Sequence, residues 1–227
     1  MSTSNVQVHC PVCDGHFRRF LPYGKSIPLS PLRPYALCPS CRCMERHRLL
    51  WLYLQTQTNI FTDTVSVLHV GPEPQIQKQL QSLSNLTYLS IDIDCQWAMM
   101  KLDVSDMPFA NDTFHIILCI HVLQAVRDDR KALSELFRVL KPNGWAILQV
   151  PIDVNQPHTV DTALVVLQQE NASQFSPARL YGQDYLELLQ QAGFDVHIDD
   201  FVRRLPQNLI TCYGLNPNED IYICYKG

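Results

Sequence analysis

Apolar positions along this chain fall into two regimes, with a change near residue 44. Before it they are scattered among prolines and cysteines and show no helical or strand period. After it they come in blocks of regular period. From Met44 to Thr56, Leu49, Leu50, Trp51, Tyr53 and Leu54 supply one apolar face behind Arg46, His47 and Arg48, which predicts a helix. Val65 to Val70 is a short, nearly continuous apolar run ending at Gly71-Pro72-Glu73-Pro74, the pattern of a buried strand followed by a turn. A helix over Gln75 to Leu83 follows.

The alternation then repeats. Strands are predicted at Thr87 to Ile91, Met100 to Val104, Phe114 to Ile120 and Trp145 to Val150, with a short helix near Gln96. Apolar residues at 133, 136, 137 and 140 make Asp129 to Leu140 a helix, and Lys141-Pro142-Asn143-Gly144 reads as its C-terminal stop. Alternating elements of these lengths specify an α/β protein with a parallel sheet covered on both faces. The end differs: after a helix at Gln183 to Gln191, strands at Phe194 to Val202 and Ile221 to Tyr225 are joined without an intervening helix, which predicts an antiparallel edge.

Size and composition fit this plan. The 227 residues accommodate one main domain of about 150–180 residues plus a small accessory. With 46% hydrophobic and 18% charged residues the chain is an ordinary folded one. The longest nearly apolar run, Phe114 to Val126, is too short to span a bilayer, and the polar start lacks the apolar core of a secretory signal, so a cytoplasmic protein without membrane partners is expected. Organisation is expected as a head at residues 1–43, a linking helix at 44–63 and the main domain at 64–227.

Nine cysteines in a reduced compartment are not a disulfide framework, and their spacing explains them better. Cys10-Pro-Val-Cys13 and Cys38-Pro-Ser-Cys41 are two Cys-x-x-Cys knuckles 24 residues apart, and four soft thiolates on two tight turns make a structural zinc site. Cys43, His9 and His16 are read as bystanders. Cys95, Cys119, Cys212 and Cys224 are read as small core hydrophobes.

Charge is uneven. Residues 1–50 carry seven Lys/Arg against two Asp/Glu, whereas the chain as a whole is −4. A basic head on an acidic body makes RNA a possible partner through the head. No aromatic run comparable to a base-stacking platform is visible there, and a small molecule or sugar is favoured as substrate.

The strand ending at Val70, the Gly71 turn and Asp92 after the next strand have the spacing of a ribose-bearing cofactor site: glycine admits a ligand to the backbone, and a carboxylate about 20 residues on accepts from ribose hydroxyls. The absence of a Gly-x-Gly-x-x-Gly run argues against a pyrophosphate cofactor.

Val67-Leu-His-Val-Gly-Pro-Glu73, Tyr88-Leu-Ser-Ile-Asp-Ile-Asp94, Leu102-Asp-Val-Ser-Asp-Met-Pro-Phe109 and Leu136-Phe-Arg-Val-Leu-Lys-Pro-Asn-Gly144 resemble, in order and spacing, the motifs of class I S-adenosylmethionine-dependent methyltransferases. With the cysteine head, the chain is similar to bacterial methyltransferase-domain proteins carrying an N-terminal zinc ribbon. The resemblance implies a Rossmann-like seven-stranded sheet with an antiparallel last strand. It implies that Gly71, Pro72 and Glu73 line the methionine end of the cofactor, Asp92 and Ile93 the ribose and adenine, and Asp103 and Val104 the adenine edge.

The same resemblance places His121 near the transferred methyl group, as the candidate general base. Ile120, Gln124 and Ala125 depart from the family pattern, and His115 stands where an acidic residue is usual; these changes are expected at the lip of the active site. Arg179, Tyr181 and Tyr185 either face the substrate or dock a helix, and His158 to Pro177, with helical spacing at residues 164–167, is an insertion-like stretch over the expected mouth, either a lid or a dimer surface. Two functions follow: methyl transfer to a small molecule, sugar or RNA, or a catalytically impaired relative acting as a zinc-ribbon interaction or regulatory module.

Overall fold

The computed structural model describes residues 8–24, 32–161 and 179–227. Its main feature is a seven-stranded sheet. In chain order the strands are β5 (Val65–Val70), β6 (Leu86–Asp92), β7 (Met100–Lys101), β8 (Phe114–Ile120), β9 (Leu140–Gln149), β12 (Asp195–Asp199) and β13 (Ile221–Tyr225). Their spatial order is β12-β13-β9-β8-β5-β6-β7. β5 pairs in parallel with β6 and β8, β8 in parallel with β9, and β13 antiparallel to β9. The final strand is thus inserted between β9 and β12 instead of forming the edge. This is the Rossmann-like seven-stranded arrangement that the sequence resemblance implies. The buried parallel strands are continuous apolar runs because both of their faces are covered.

Helix α3 (Asp129–Val139) begins where the Asp128 side chain accepts from Lys131 N–H at 3.0 Å. It buries Ala132, Leu133, Leu136 and Val139, a helical stripe, in one core with Leu68, Val70, Ile117, Cys119 and Leu148. Helix α4 (Tyr185–Gln191) adds Tyr185 and Leu189 to that core.

Contacts divide the chain into two compact units. One comprises residues 64–72, 86–198 and 222–227; the other comprises 1–63, 73–85 and 199–221. The second holds two short hairpins, β1 (Val8–Cys10) with β2 (Gly15–Phe17) and β3 (Leu21–Tyr23) with β4 (Arg33–Leu37). It also holds α1 (Glu45–Gln57) and α2 (Pro74–Gln81). Arg48 on α1 is fully buried there and binds the carbonyls of Tyr213 (2.6 Å), Gly214 (2.8 Å), Ala36 (2.9 Å) and Cys43 (3.2 Å). Its guanidinium lies 3.8 Å from the centre of the Phe20 ring.

Several local expectations are corrected. The segment near Gln96 is a series of turns and not a helix, because Asp92 Oδ1 accepts from the N–H groups of Asp94 and Cys95 and closes the chain on itself. Lys141–Gly144 does not cap α3, which ends at Val139; it is an excursion inside β9, where the pairing shifts from Phe114↔Leu140 to Ile116↔Trp145. Between β12 and β13 lie two short helices, α5 (Phe201–Arg204) and α6 (Gln207–Tyr213), closed by Gly214 at φ 57°. The helical spacing expected at residues 164–167 lies outside the described residues.

Candidate functional site

A cavity of about 1360 Å³ opens where β5, β6, β8 and β9 end, with Val70, Asp92, His121 and Pro151 among its walls. Sheet order reverses at β5, so this is the crevice at the carboxyl ends of the strands where open α/β sheets bind ligands.

Five of the expected residues line it or turn the chain into it. Asp92 ends β6, and with Oδ1 held at 2.8 and 2.7 Å by two backbone N–H groups, the carboxylate has a fixed orientation. Ile93 follows, 53% exposed, and Val104 is buried in the opposite wall. Asp103 also lines the cavity; its Oδ1 accepts from the backbone N–H and hydroxyl of Ser105 at 2.8 Å. Gly71 turns the chain at φ 61° and donates its N–H to Ile91 O at 2.9 Å. A Cβ built on it falls 2.3 Å from Val122 Cγ2 and 3.5 Å from Asp92 Oδ2, so only glycine fits between them. The lining itself begins at Val70 and includes neither Gly71 nor Pro72. Glu73 caps α2, with its carboxylate 3.5 Å from His47 Nε2.

His121 also lines the cavity, in the left-handed region at φ 56°, a conformation that costs a non-glycine residue about 1–2 kcal/mol. Its N–H donates to Gln149 O at 2.7 Å, and its ring Nε2 is buried. Beside it, Gln124 donates its amide N–H to His121 O, and Ala125 lines the same wall.

His115 does not belong to the lip. It sits at the opposite end of β8, where its Nδ1 bonds Ser66 on β5 and its Nε2 lies 3.1 Å from Lys141 Nζ. Desolvation, then the charge of Lys141, lowers its pKa below the ordinary histidine value.

Tyr181 and Tyr185 dock, and Arg179, which also lines the cavity, is held by the same group. Arg179 Nη1 donates to Val126 O at 2.6 Å and Nη2 to Arg127 O at 2.9 Å. Tyr181 OH donates to Asp129 at 2.8 Å, and Tyr185 OH to Leu148 O at 3.2 Å. Both tyrosines are fully buried, and burial pushes both phenols upward. The group staples the 3₁₀ turn Leu123–Ala125, one wall of the cavity, to β11 (Arg179–Leu180), which pairs antiparallel with β10 (Val160–Asp161). The segment Leu102–Phe109, whose first four residues line the cavity, is held similarly: Arg138 donates to Met107 O and Phe109 O and pairs with Glu135, lowering the pKa of that carboxyl.

The four knuckle cysteines meet in space. Their sulfurs all lie within 4.8 Å of one another, with Cys10–Cys41 at 3.7 Å and Cys13–Cys38 at 3.8 Å. A tetrahedron of sulfurs about 2.3 Å from zinc has edges of about 3.8 Å, so the donor set fits that metal. Cys43, read as a bystander, is buried with its sulfur 3.3 Å from Cys10, shorter than such an edge. Thiol hydrogen bonds from Cys41 and Cys43 hold the Cys10 thiol well below its ordinary pKa. His9 and His16 stack on each other at 4.3 Å outside this set.

Comparison with known proteins agrees with the geometry. Residues 65–148 match the family model described as a methyltransferase domain. That match covers the segment from β5 into β9. It is 33% identical over 133 residues, 56% of this chain, to a demethylmenaquinone methyltransferase of Chlamydia muridarum, and spans 58% of that relative's length. Among solved structures it resembles an S-adenosylmethionine-dependent methyltransferase from Mesorhizobium loti (TM-score 0.55, 11% identity, 77% of this chain and 95% of that one). It also resembles the [4+2]-cyclase SpnF (TM-score 0.55, 15% identity, 79% and 80%). At such identities the likeness concerns the fold, and a cyclase among the matches shows that the fold alone does not fix the reaction. Among the described residues no helix is long and apolar enough to cross a membrane.

Proposed function

We propose that this protein transfers a methyl group from S-adenosylmethionine to a small organic acceptor, a small molecule or a sugar. The observation that carries the reading is the oriented Asp92 carboxylate beside Gly71, in a cavity at the sheet's reversal point. Asp92 would hold the ribose hydroxyls, Ile93 and Val104 the faces of the adenine, and Asp103 its edge. Gly71, Pro72 and Glu73 are proposed for the methionine end. The cofactor supplies an electrophilic sulfonium methyl; the chain's own residues supply position and dryness, which account for most of the acceleration in a displacement of this kind.

His121 is the proposed base for an acceptor whose hydroxyl must lose a proton. It lines the cavity at the end of β8, with a strained backbone fixed through Gln149. The small-molecule acceptor is supported by the name of the curated relative, whose substrate, demethylmenaquinone, is one. Cys10, Cys13, Cys38 and Cys41 are proposed to hold a structural zinc ion, which would leave no coordination position for a substrate.

The test is transfer of label from methyl-tritiated S-adenosylmethionine to fractionated small-molecule and RNA extracts. Label entering a small-molecule fraction, and falling about 10²–10⁴-fold in His121→Ala, supports both acceptor class and base. Undiminished transfer by that variant removes the base, and absence of transfer to any fraction removes the activity. That last result would favour the regulatory zinc-ribbon module.

A further inference from the structure

The β3–β4 hairpin of the head carries a surface that neither zinc binding nor methyl transfer uses. Tyr23 is 43% exposed, Tyr35 61% and Leu32 52%. Large flat side chains held in water on a short ribbon usually serve a contact. They sit among cations. Arg33 pairs across the strands with Tyr23 and stands over its ring at 5.5 Å. Arg18 and Arg19 are exposed on the segment leading into β3, and Arg42 is exposed just past the second knuckle. In the described residues from 8 to 45 the acidic residues are Asp14, bonded to His9 at 2.7 Å, and Glu45, which pairs with Arg33 at 3.0 Å.

The ribbon is also rigid from below. Phe20, between Arg19 and β3, is fully buried against the Arg48 guanidinium, and Ala36, beside Tyr35, is fully buried and gives its carbonyl to Arg48. The tyrosines are therefore presented on anchored backbone, which limits the entropy lost when they order against a partner.

We infer that this hairpin binds single-stranded nucleic acid, with Tyr23 and Tyr35 stacking on unpaired bases and Arg18, Arg19 and Arg42 neutralising phosphates. Aromatic faces beside guanidinium groups suit a partner that offers both π-faces and a regular anionic backbone. A duplex keeps its base faces covered, and an acidic peptide lacks them. The inference is independent of the methyl-transfer reading and concerns the head alone.

The experiment uses the full-length, zinc-loaded protein and a fluorescein-labelled 12-nucleotide RNA of mixed sequence, read by anisotropy across a salt series. With three arginines engaged, log K should fall against log salt with a slope of about −2. Tyr35→Ala and Tyr23→Ala should each weaken binding by about five- to 150-fold, the range of base–aromatic stacking, while Tyr35→Trp retains it. Both side chains are exposed, and an unchanged circular dichroism spectrum and zinc content verify that each variant is folded.

Failure to bind the RNA at low salt overturns the inference. So does binding that neither tyrosine variant changes, which would reduce the surface to a general basic footprint. Equal or tighter binding to a duplex, a poly-glutamate peptide or vesicles containing phosphatidylserine would overturn it as well.

Discussion

Arg48→Met makes a demanding test of how the cysteine head is held. The arginine is fully buried and directs its N–H groups at four carbonyls between 2.6 and 3.2 Å. Those carbonyls come from β4, from the loop after the second knuckle and from the end of α6, segments distant in sequence. A hydrogen bond to a charged group contributes roughly 1.5–3 kcal/mol, and burying the cation costs several kcal/mol. Truncation leaves the carbonyls buried and unpaired, so a net loss of about 3–5 kcal/mol is expected, the range for breaking a buried charged network. Arg48→Lys keeps the charge but offers three donors without the fork geometry, and should fall between.

The assay is urea unfolding of zinc-loaded protein followed by circular dichroism, comparing midpoints at constant slope. Zinc affinity should fall in parallel, because the Cys43 and Ala36 carbonyls flank the second knuckle. A loss below about 1 kcal/mol for Arg48→Met, or a lysine variant as stable as the parent, would refute the reasoning.

Three further outcomes are expected. Cys38→Ala should release the bound zinc, whereas Cys43→Ala should keep one zinc per chain by atomic emission; loss of metal from both would make Cys43 a ligand. The lowered pKa of His115 means that the unfolded chain binds more protons below its ordinary value of about 6.5, so the stability this group contributes is full above that pH and declines as pH falls toward the lowered folded pKa. His115→Gln should flatten the acid limb of a stability–pH profile, and an unchanged limb would exclude this histidine as its source. Gly71→Ala forces a side chain into φ 61° with its Cβ 2.3 Å from Val122, and should cost at least about 2 kcal/mol in unfolding experiments; an unaffected midpoint would show that the turn can relax.

What could be read in the sequence follows from how the chain is buried. β5 and β8 are found at their predicted bounds, Val65–Val70 and Phe114–Ile120, because central parallel strands are apolar on both faces and leave an uninterrupted run. The position of Asp92 at the end of β6 was legible because the strand's apolar run stops there. The errors concern residues whose roles depend on partners far along the chain. Nothing near His115 indicates Ser66 and Lys141, and nothing near Tyr181 indicates Asp129. Lys141–Gly144 uses helix-stop residues to make a bulge, since glycine and asparagine serve either purpose; Asn143 has φ 60°. Tyr23 and Tyr35 look isolated in sequence and share a hairpin once β3 pairs with β4.

The most direct test of the central claim is a calorimetric titration of the zinc-loaded protein with S-adenosylmethionine and S-adenosylhomocysteine, repeated on Asp92→Ala. Micromolar binding of both by the parent protein, lost in a variant that remains folded, is the predicted result. Absence of binding to the folded parent, or full affinity in Asp92→Ala, would contradict it.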